Sequence, residues 1–226
     1  MKWGAAIVAA GRGTRLGRPK QLIDVAGLPL VGWSMRALAG MPEIAYVVVA
    51  TDDEFLEPMR ELAANAFGRA IPVVAGGPTR QQSVRRAIEA LDAECTHVLV
   101  HDGARPLLRA ADVRLGMSQV REGRGAVLAT PVVDTVKIVD ANDMTVVETL
   151  PRERLWAAQT PQFATRSDLE RAHREAASRG VEGTDDAALL EMIGIRVAVV
   201  PSSGENFKVT VPEDLARAEL LLRGGL

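Results

Sequence analysis

The chain has 226 residues, of which 47% are hydrophobic and 25% charged, as expected for a globular protein with a buried core. Its formal net charge is −2, so no excess of lysine and arginine marks a protein that binds nucleic acid or a membrane surface. The single cysteine, Cys95, excludes an intrachain disulfide or a paired-thiol metal site and fits a reducing compartment.

The apolar residues 3–10 follow Met1 and Lys2 and could pass for a weak signal peptide. They run directly into a glycine-rich loop, however, so we expect them to form the first strand of a cytoplasmic protein. No other apolar run approaches the roughly 18 residues that suggest a membrane-spanning helix.

Apolar runs alternate with amphipathic segments along most of the chain. Runs rich in Val, Ile and Ala predict strands at residues 3–9, 45–51, 71–74, 97–101, 126–133 and 196–201. Helical patterns occupy residues 30–38, 54–66, 80–91, 111–122, 167–179, 185–192 and 212–222. The strand runs are continuous rather than alternating, which is typical of parallel strands covered on both faces. The sequence therefore predicts a three-layer α/β fold, and no linker divides residues 1–226 into separate domains.

One segment breaks this alternation. Residues 136–139 and 146–150 are β-branched runs separated by the turn-forming residues 140–143, a pattern that predicts an inserted β-hairpin. Because a two-stranded ribbon is only marginally stable alone, we expect it to pack on its own domain or on a second subunit.

A glycine-rich loop at residues 11–20 follows the first predicted strand, and its cations are Arg12, Arg15, Arg18 and Lys20. Glycines bring backbone N–H groups close to phosphate oxygens, and open α/β sheets bind ligands at this end of a strand. The pattern predicts a phosphate-binding loop, with a solvated basic turn as the alternative. Leu16 fits poorly where a dinucleotide fingerprint has glycine or alanine, and no Walker A string occurs.

Two further segments lie at predicted strand ends. Asp102 follows the strand at 97–101, where a carboxylate among cations suggests a magnesium ligand; the alternatives are a turn cap or an ion pair with Arg105. Thr79 is a predicted helix cap with Gln82 as its partner, and residues 77 and 83 are better placed to hydrogen-bond a base or ribose. The three histidines show no metal-ligand spacing, and the two that flank the strand at 97–101 are expected to be structural.

Together these strings resemble the 2-C-methyl-D-erythritol 4-phosphate cytidylyltransferases of the non-mevalonate isoprenoid route. The resemblance covers nearly the whole chain and rests on Arg152, Trp156 and residues 9–15, 19–21, 80–84, 101–106, 131–135, 160–162, 184–185 and 206–210. It implies a Rossmann-like three-layer α/β fold of the nucleotidyltransferase type, with a mixed sheet and an inserted β-hairpin arm at roughly residues 134–157. It also implies a homodimer in which the arm reaches the partner, CTP as co-substrate and Mg²⁺ or another divalent cation as cofactor.

The resemblance further implies roles by position. The catalytic residues would be Arg15, Lys20, Arg152 and Lys208. The nucleotide would be bound by Ala9, Ala10, Gly11, Gly13, Gly77, Arg80, Ser83 and Asp102. The polyol phosphate would be bound by Asp102, Arg105, Thr135, Arg152, Thr160, Thr184 and Lys208. Asp102 would hold the metal, and the partner subunit would supply Thr135 and Arg152.

Two departures from the family and three alternative functions stay open at this point. Pro78 and Glu205 stand where some members carry an acid and an aspartate, respectively. A ribitol-5-phosphate cytidylyltransferase has a similar scaffold and differs in its polyol pocket. A non-catalytic nucleotide-binding module could dispense with some of the cations that this chain keeps, and Leu16 argues against an NAD-binding oxidoreductase.

Overall fold

The computed structural model describes residues 1–11 and 19–224. In chain order the strands are β1 (Trp3–Val8), β2 (Asp24–Val25), β3 (Leu28–Pro29), β4 (Ile44–Thr51), β5 (Val73–Ala75), β6 (His97–Asp102), β7 (Arg124–Pro131), β8 (Lys137–Val139), β9 (Val146–Thr149), β10 (Trp156–Thr165) and β11 (Arg196–Pro201). The helices are α1 (Leu30–Ala39), α2 (Leu56–Phe67), α3 (Arg80–Glu89), α4 (Ala110–Gln119), α5 (Arg166–Arg179), α6 (Asp186–Met192) and α7 (Pro212–Arg223).

Seven of the strands form one central sheet in the order β11-β7-β10-β6-β1-β4-β5. β1 pairs in parallel with β4 and β6, β4 with β5, and β7 with β11. β10 alone runs antiparallel to its neighbours β6 and β7. The sheet is therefore mixed, as expected, and the carboxyl ends of six strands meet at one edge.

Hydrophobic clusters cover both faces of this sheet. Successive strand residues point to opposite faces. Accordingly, Ile7 packs in one cluster with Met35 of α1, and its neighbour Ala6 packs in the other with Val84 of α3 and Leu169 of α5. The predicted three-layer α/β arrangement is confirmed. Among the described helices, none combines the length and the apolar character needed to cross a membrane.

The predicted strands and helices are all present, with boundaries that move by a few residues. The main omission is β10, which the sequence analysis did not predict as a strand. Pro161 and polar glutamines interrupt its apolar pattern, and its pairing with β7 shifts register between Ala158 and Gln162. A strand with a proline at an irregular position lacks a clear periodic signal, because the irregularity removes both the alternation and a donor.

The predicted hairpin is present as β8 and β9, which pair antiparallel. Its turn is held by local bonds: the Asp140 carboxylate accepts from the backbone N–H of Asn142, and that of Asp143 accepts from Thr145. Every residue from 137 to 149 is exposed. The hairpin and its connections, residues 132–155, are called the arm below; the expected range 134–157 overlaps the start of β10 at Trp156.

Candidate active site

A cavity of about 740 Å³ opens at the edge of the sheet where the parallel strands end. Its walls include Ala10 and Gly11, which follow β1, and Gly77, Arg80 and Ser83, which follow β5. This volume is in the range of small-molecule sites. The structure thus brings together five residues that the sequence analysis assigned to the nucleotide.

The turn between β5 and α3 forms one wall of the cavity. Thr79 caps α3, as predicted, since its hydroxyl accepts from the backbone N–H of Gln82 at 3.3 Å. The Ser83 hydroxyl accepts from the N–H of Gly77 at 3.0 Å and donates to the carbonyl of Thr79 at 2.9 Å. A Cβ on Gly76 would collide with Ala10, so glycine is needed where this turn meets the end of β1. Ser83 therefore braces the wall that it lines.

Asp102 ends β6 and is almost fully buried. One carboxylate oxygen accepts from Arg80 Nε at 3.0 Å, and the other accepts from Lys208 Nζ at 2.7 Å. Burial alone would raise the pKa of Asp102, but the charges of Arg80 and Lys208 outweigh it and hold that pKa well below its usual range. Asp102 is therefore ionised and ion-paired with these two cations. Arg105, the partner considered from sequence, donates instead to the carbonyl of Asn206.

A neutral histidine connects Asp102 to two residues that were predicted to bind the polyol phosphate, Thr160 and Arg105. The backbone N–H of Asp102 donates to the Thr160 hydroxyl at 3.0 Å, which lies 3.1 Å from Nδ1 of His101. The Nε2 atom of His101 lies 3.2 Å from the carbonyl of Arg105. Burial lowers the pKa of His101 to about 4, so the ring is neutral at pH 7. Because a carbonyl only accepts, Nε2 carries the proton and Nδ1 accepts from Thr160.

The loop after β11 completes the charged edge. Lys20 Nζ donates to the carbonyl of Val209 at 3.1 Å, next to Lys208. Asn206 anchors this loop, since its amide nitrogen donates to the carbonyl of Thr160 at 2.8 Å. Arg105 Nε is buried and has no hydrogen-bond partner among the residues that the structure describes.

These cations and Asp102 make up what is called the strand-end cluster: Lys20, Arg80, Asp102, Arg105 and Lys208. A second buried carboxylate, that of Asp186, also contacts Arg80. Four cations against two carboxylates leave an excess of two positive charges. Asp52, Asp53 and Glu54 line the neighbouring cavity together with Arg80 and Arg86, so the positive excess belongs to the strand-end cluster itself. A cluster with this balance favours an anionic ligand.

Other predicted site residues lie elsewhere or outside the described chain. Ala9 is buried behind the cavity, where its N–H donates to the carbonyl of Ala50. Thr184 is exposed just before α6. Thr135 and Arg152 belong to the arm, and Arg152 donates to the carbonyl of Val133 there. Two of the predicted residues, Gly13 and Arg15, lie outside the described residues.

Three residues that support the site were not predicted from the sequence: His101 in its bridging role, Asn206 and Asp186. Two of these lie inside strings already noted, at 101–106 and 206–210, so their positions were marked although their contacts were not. Asp186 lies inside the predicted helix at 185–192 and had no predicted role in the site. Its contact with Arg80 spans 106 positions of the chain, and no local pattern encodes such a contact.

In the strand-end cluster, a divalent cation would have one carboxylate ligand, that of Asp102. Within residues 1–11 and 19–224, no group of three or more His, Cys, Asp or Glu side chains could hold a metal ion by itself. Asp102 offers oxygen ligands, although each oxygen already accepts one bond. Magnesium usually takes one or two carboxylates and keeps phosphate and water as its other ligands. These residues fit magnesium only as a one-carboxylate site completed by a phosphorylated ligand.

A three-layer α/β fold with a nucleotide-sized cavity and a cluster of cations at the carboxyl edge of its sheet is typical of the nucleotidyltransferase class. The family model described as "IspD: 2-C-methyl-D-erythritol 4-phosphate cytidylyltransferase" matches residues 4–224. The chain belongs to this family and is a nucleotidyltransferase, which rules out the oxidoreductase alternative.

Relatives and solved structures agree with this assignment. The 2-C-methyl-D-erythritol 4-phosphate cytidylyltransferase of Gloeobacter violaceus is 42% identical over 221 residues, covering 96% of this chain and 94% of the relative. The enzyme of that name from Halalkalibacterium halodurans is 40% identical over 225 residues, covering 98% and 97%. The structure of 4-diphosphocytidyl-2C-methyl-D-erythritol synthase from Anaerococcus prevotii superimposes with a TM-score of 0.88 at 27% identity, covering 98% and 96%. That of the Thermus thermophilus cytidylyltransferase gives 0.81 at 34% identity, covering 99% and 100%.

Proposed function

We propose that this chain transfers CMP from CTP to 2-C-methyl-D-erythritol 4-phosphate and releases pyrophosphate. The observation that carries the proposal is the buried carboxylate of Asp102, paired with Arg80 and Lys208 beside a nucleotide-sized cavity. In a chain of this family, that arrangement supplies cations to both anionic substrates at one strand end.

The chemistry needs positioning and charge rather than a general base. A phosphate monoester has a second pKa near 6, so at pH 7 its oxygen is already a nucleophile. That oxygen attacks the α-phosphorus of CTP in line, and the bond from that phosphorus to the bridging oxygen breaks as pyrophosphate leaves with the electron pair. The barrier arises from repulsion between two anions and from charge that grows on the leaving group. Fixed cations lower both contributions.

We assign the cations of the strand-end cluster to these tasks. Lys20 and Arg15 would hold the triphosphate and stabilise the leaving group, while Lys208 would stabilise the reacting phosphates. Arg80 would bind the nucleotide together with the cavity residues Ala10, Gly11, Gly77 and Ser83. Ala9 and Gly13 would belong to the same nucleotide site. Asp102 and Arg105 would bind the polyol phosphate together with Thr160 and Thr184. The buried state of Thr160 suits a supporting role, because its hydroxyl already bonds Asp102 and His101.

We also propose that the reaction uses Mg²⁺. When bound, the ion would neutralise phosphate charge, with Asp102 as its single protein ligand and the nucleotide as its main one. Magnesium should therefore bind the protein weakly by itself and much more tightly with CTP. Titration of Mg²⁺ with and without CTP, followed by calorimetry, tests this. Equal affinity in both titrations would contradict a one-carboxylate site.

We further propose that the protein is a homodimer whose arms complete the partner's sites. The arm exposes a set of large hydrophobic side chains: Val133, Ile138, Val139, Met144, Val146 and Val147. An exposed apolar patch of this kind is unusual on a monomer and marks an interaction surface. The partner would then supply Thr135 and Arg152, and the planar fork of Arg152 suits a phosphate because it binds two oxygens at once.

Two broader features belong to the same proposal. We treat residues 1–226 as one catalytic domain with an inserted arm, because β1 and β11 from opposite ends of the chain share one sheet. We place the protein in the cytoplasm, where a lone buried Cys95 remains a thiol.

A pyrophosphate-release assay tests the substrate pair. CTP with 2-C-methyl-D-erythritol 4-phosphate should react much faster than CTP with ribitol 5-phosphate or than ATP, GTP or UTP with the same polyol. The reverse polyol preference would move the assignment to a ribitol-5-phosphate cytidylyltransferase. No release with any pair would favour a non-catalytic module.

A further inference from the structure

A buried acid lies behind the strand-end cluster and has no place in the mechanism above. Asp186 is the first residue of α6 and is 1% exposed. Its Oδ2 accepts from Arg80 Nη1 at 2.9 Å, and its Oδ1 lies 3.2 Å from Nε2 of His173 on α5. Asp186 is absent from the described lining of the nucleotide cavity. Burying a carboxylate costs several kcal/mol, so its retention here calls for a compensating role.

Arg80 is shared between two buried carboxylates. Its Nε bonds Asp102 at 3.0 Å while its Nη1 bonds Asp186 at 2.9 Å. The guanidinium is planar, so bonds at two of its edges fix both the plane and the direction of the third nitrogen. That nitrogen, Nη2, is buried and has no partner among the residues that the structure describes. Asp186 therefore helps to decide where the remaining donor of Arg80 points.

The same bonds determine how Asp102 is used. Arg80 occupies Oδ1 of Asp102, and Oδ2 accepts from Lys208 at 2.7 Å. Without the Asp186 carboxylate, no described contact would keep Arg80 Nε on Oδ1 of Asp102. The guanidinium could then make a bidentate contact with both oxygens of Asp102. Such a contact would compete with Lys208 for Oδ2. The position of Lys208 thus depends on Asp186 through two intervening side chains.

His173 holds Asp186 from the side opposite Arg80. It lies on α5 and is 3% exposed. Burial alone would raise the pKa of Asp186, but the charge of Arg80 and the bond to His173 outweigh it, so the net pKa lies below its ordinary value. The carboxylate is therefore charged at pH 7, and both of its oxygens have a described partner.

We propose that Asp186 is a positioning residue for the transfer reaction: through Arg80 it orients Asp102 and Lys208, and His173 holds Asp186 in place. The inference rests on the proposed function, because it concerns the same site. It differs from a purely structural ion pair between α6 and α3, which would contribute to stability without affecting turnover.

The first test replaces the charge and keeps the shape. Asp186→Asn should lower kcat/KM for CTP by about 10- to 100-fold, the range typical when a residue that orients a ligand-binding group is changed. The matched control is Asp168→Asn. Asp168 is also a nearly buried carboxylate paired with an arginine, Arg171, but it accepts from the backbone N–H of Gly123 at the amino end of β7. That control should lose stability while its kcat/KM stays within about twofold of wild type.

A double-mutant cycle distinguishes an effect of Asp186 that is transmitted through Arg80 from an effect that is independent of Arg80. If Asp186 acts through Arg80, adding Asp186→Asn to Arg80→Lys should lower kcat/KM by less than about threefold further, because the oriented fork is already gone. Independent effects would multiply, and the double variant would lose the full factor of both. That multiplicative result would overturn the proposal.

A gentler variant keeps the proposal testable if Asp186→Asn does not fold. His173→Phe keeps an aromatic ring, although a larger one, and removes the bond to Asp186; it should lower kcat/KM by roughly three- to tenfold. Equilibrium CTP binding provides a readout that does not require turnover: Asp186→Asn or His173→Phe should weaken it, and Asp168→Asn should not. Wild-type protein that binds CTP but turns over neither polyol phosphate would contradict the proposed function alone. Variants within twofold of wild type in both CTP affinity and turnover would contradict the positioning role.

Discussion

The strand-end cluster and the arm differ in how their side chains are bonded and in how far they are exposed to solvent. In the cluster, Asp102 is ion-paired with Arg80 and Lys208, and Lys20 donates to the backbone carbonyl of Val209. In the arm, residues 137–149 are all exposed and the bonds of the turn are local. The cluster is thus organised within a single chain, whereas no part of the chain that the structure describes covers residues 137–149 of the arm. Preorganised charge suits catalysis, whereas exposed apolar side chains suit association.

Removing a cluster cation should have the largest effect. Lys20→Ala should lower kcat by about 10²- to 10³-fold, as expected when one preorganised electrostatic group is lost. Its melting temperature should change little, since Lys20 begins a short 3₁₀-helix (Lys20–Leu22) and is not part of the hydrophobic core. Lys2→Ala is the matched control: the ammonium group of Lys2 also has a partner, the carboxylate of Glu94, but Lys2 precedes β1 at the other end of that strand. Near-normal kcat for Lys20→Ala would mean that the basic loop is a solvated turn.

A charged substitution on the arm should weaken the proposed dimer. Val147→Asp places a carboxylate on an exposed apolar strand. If the arm is buried in a dimer, the dimer dissociation constant should rise at least about tenfold, because an unpaired buried charge costs more than ~1.4 kcal/mol. Sedimentation velocity across a concentration series measures it. Leu220→Asp, on the exposed face of α7, is the control and should leave the constant unchanged. An unaffected Val147→Asp dimer would show that the arm is not the interface.

A helix cap far from both regions should give the smallest effect. Thr165 caps α5, where its hydroxyl accepts from the N–H of Asp168 at 3.2 Å, and it pairs with His97 at the amino end of β6. Thr165→Ala should lower the free energy of unfolding by about 1 kcal/mol, typical of a lost cap, and leave kcat/KM unchanged. Urea denaturation and the pyrophosphate assay measure the two quantities. A loss of activity without a loss of stability would contradict the expectation that this helix cap stabilises the fold without affecting the active site.

The sequence predicted the positions of several cluster residues and the hairpin of the arm, but it did not predict the contacts that either region makes. Asp102 and Lys20 were found because each follows a strand, and parallel strand ends share one edge. The bonds that organise Asp102, such as those from Arg80 and Lys208, join residues 22 and 106 positions apart and have no local signal. β10 was missed because Pro161 and a register shift interrupt its pattern. The hairpin was easy to predict from its turn, but whether a partner packs on it is not encoded locally.

Subunit mixing tests most directly the central claim that one chain organises the cluster and a second chain completes the site. Lys20→Ala and Arg152→Ala should each be nearly inactive alone, with CTP binding largely kept in Arg152→Ala. After subunit exchange, half of the dimers are mixed, and each mixed dimer has one site without either defect. Roughly one quarter of wild-type activity should therefore return. A mixture with verified exchange and no recovered activity, or a protein that stays monomeric by light scattering, would contradict the claim.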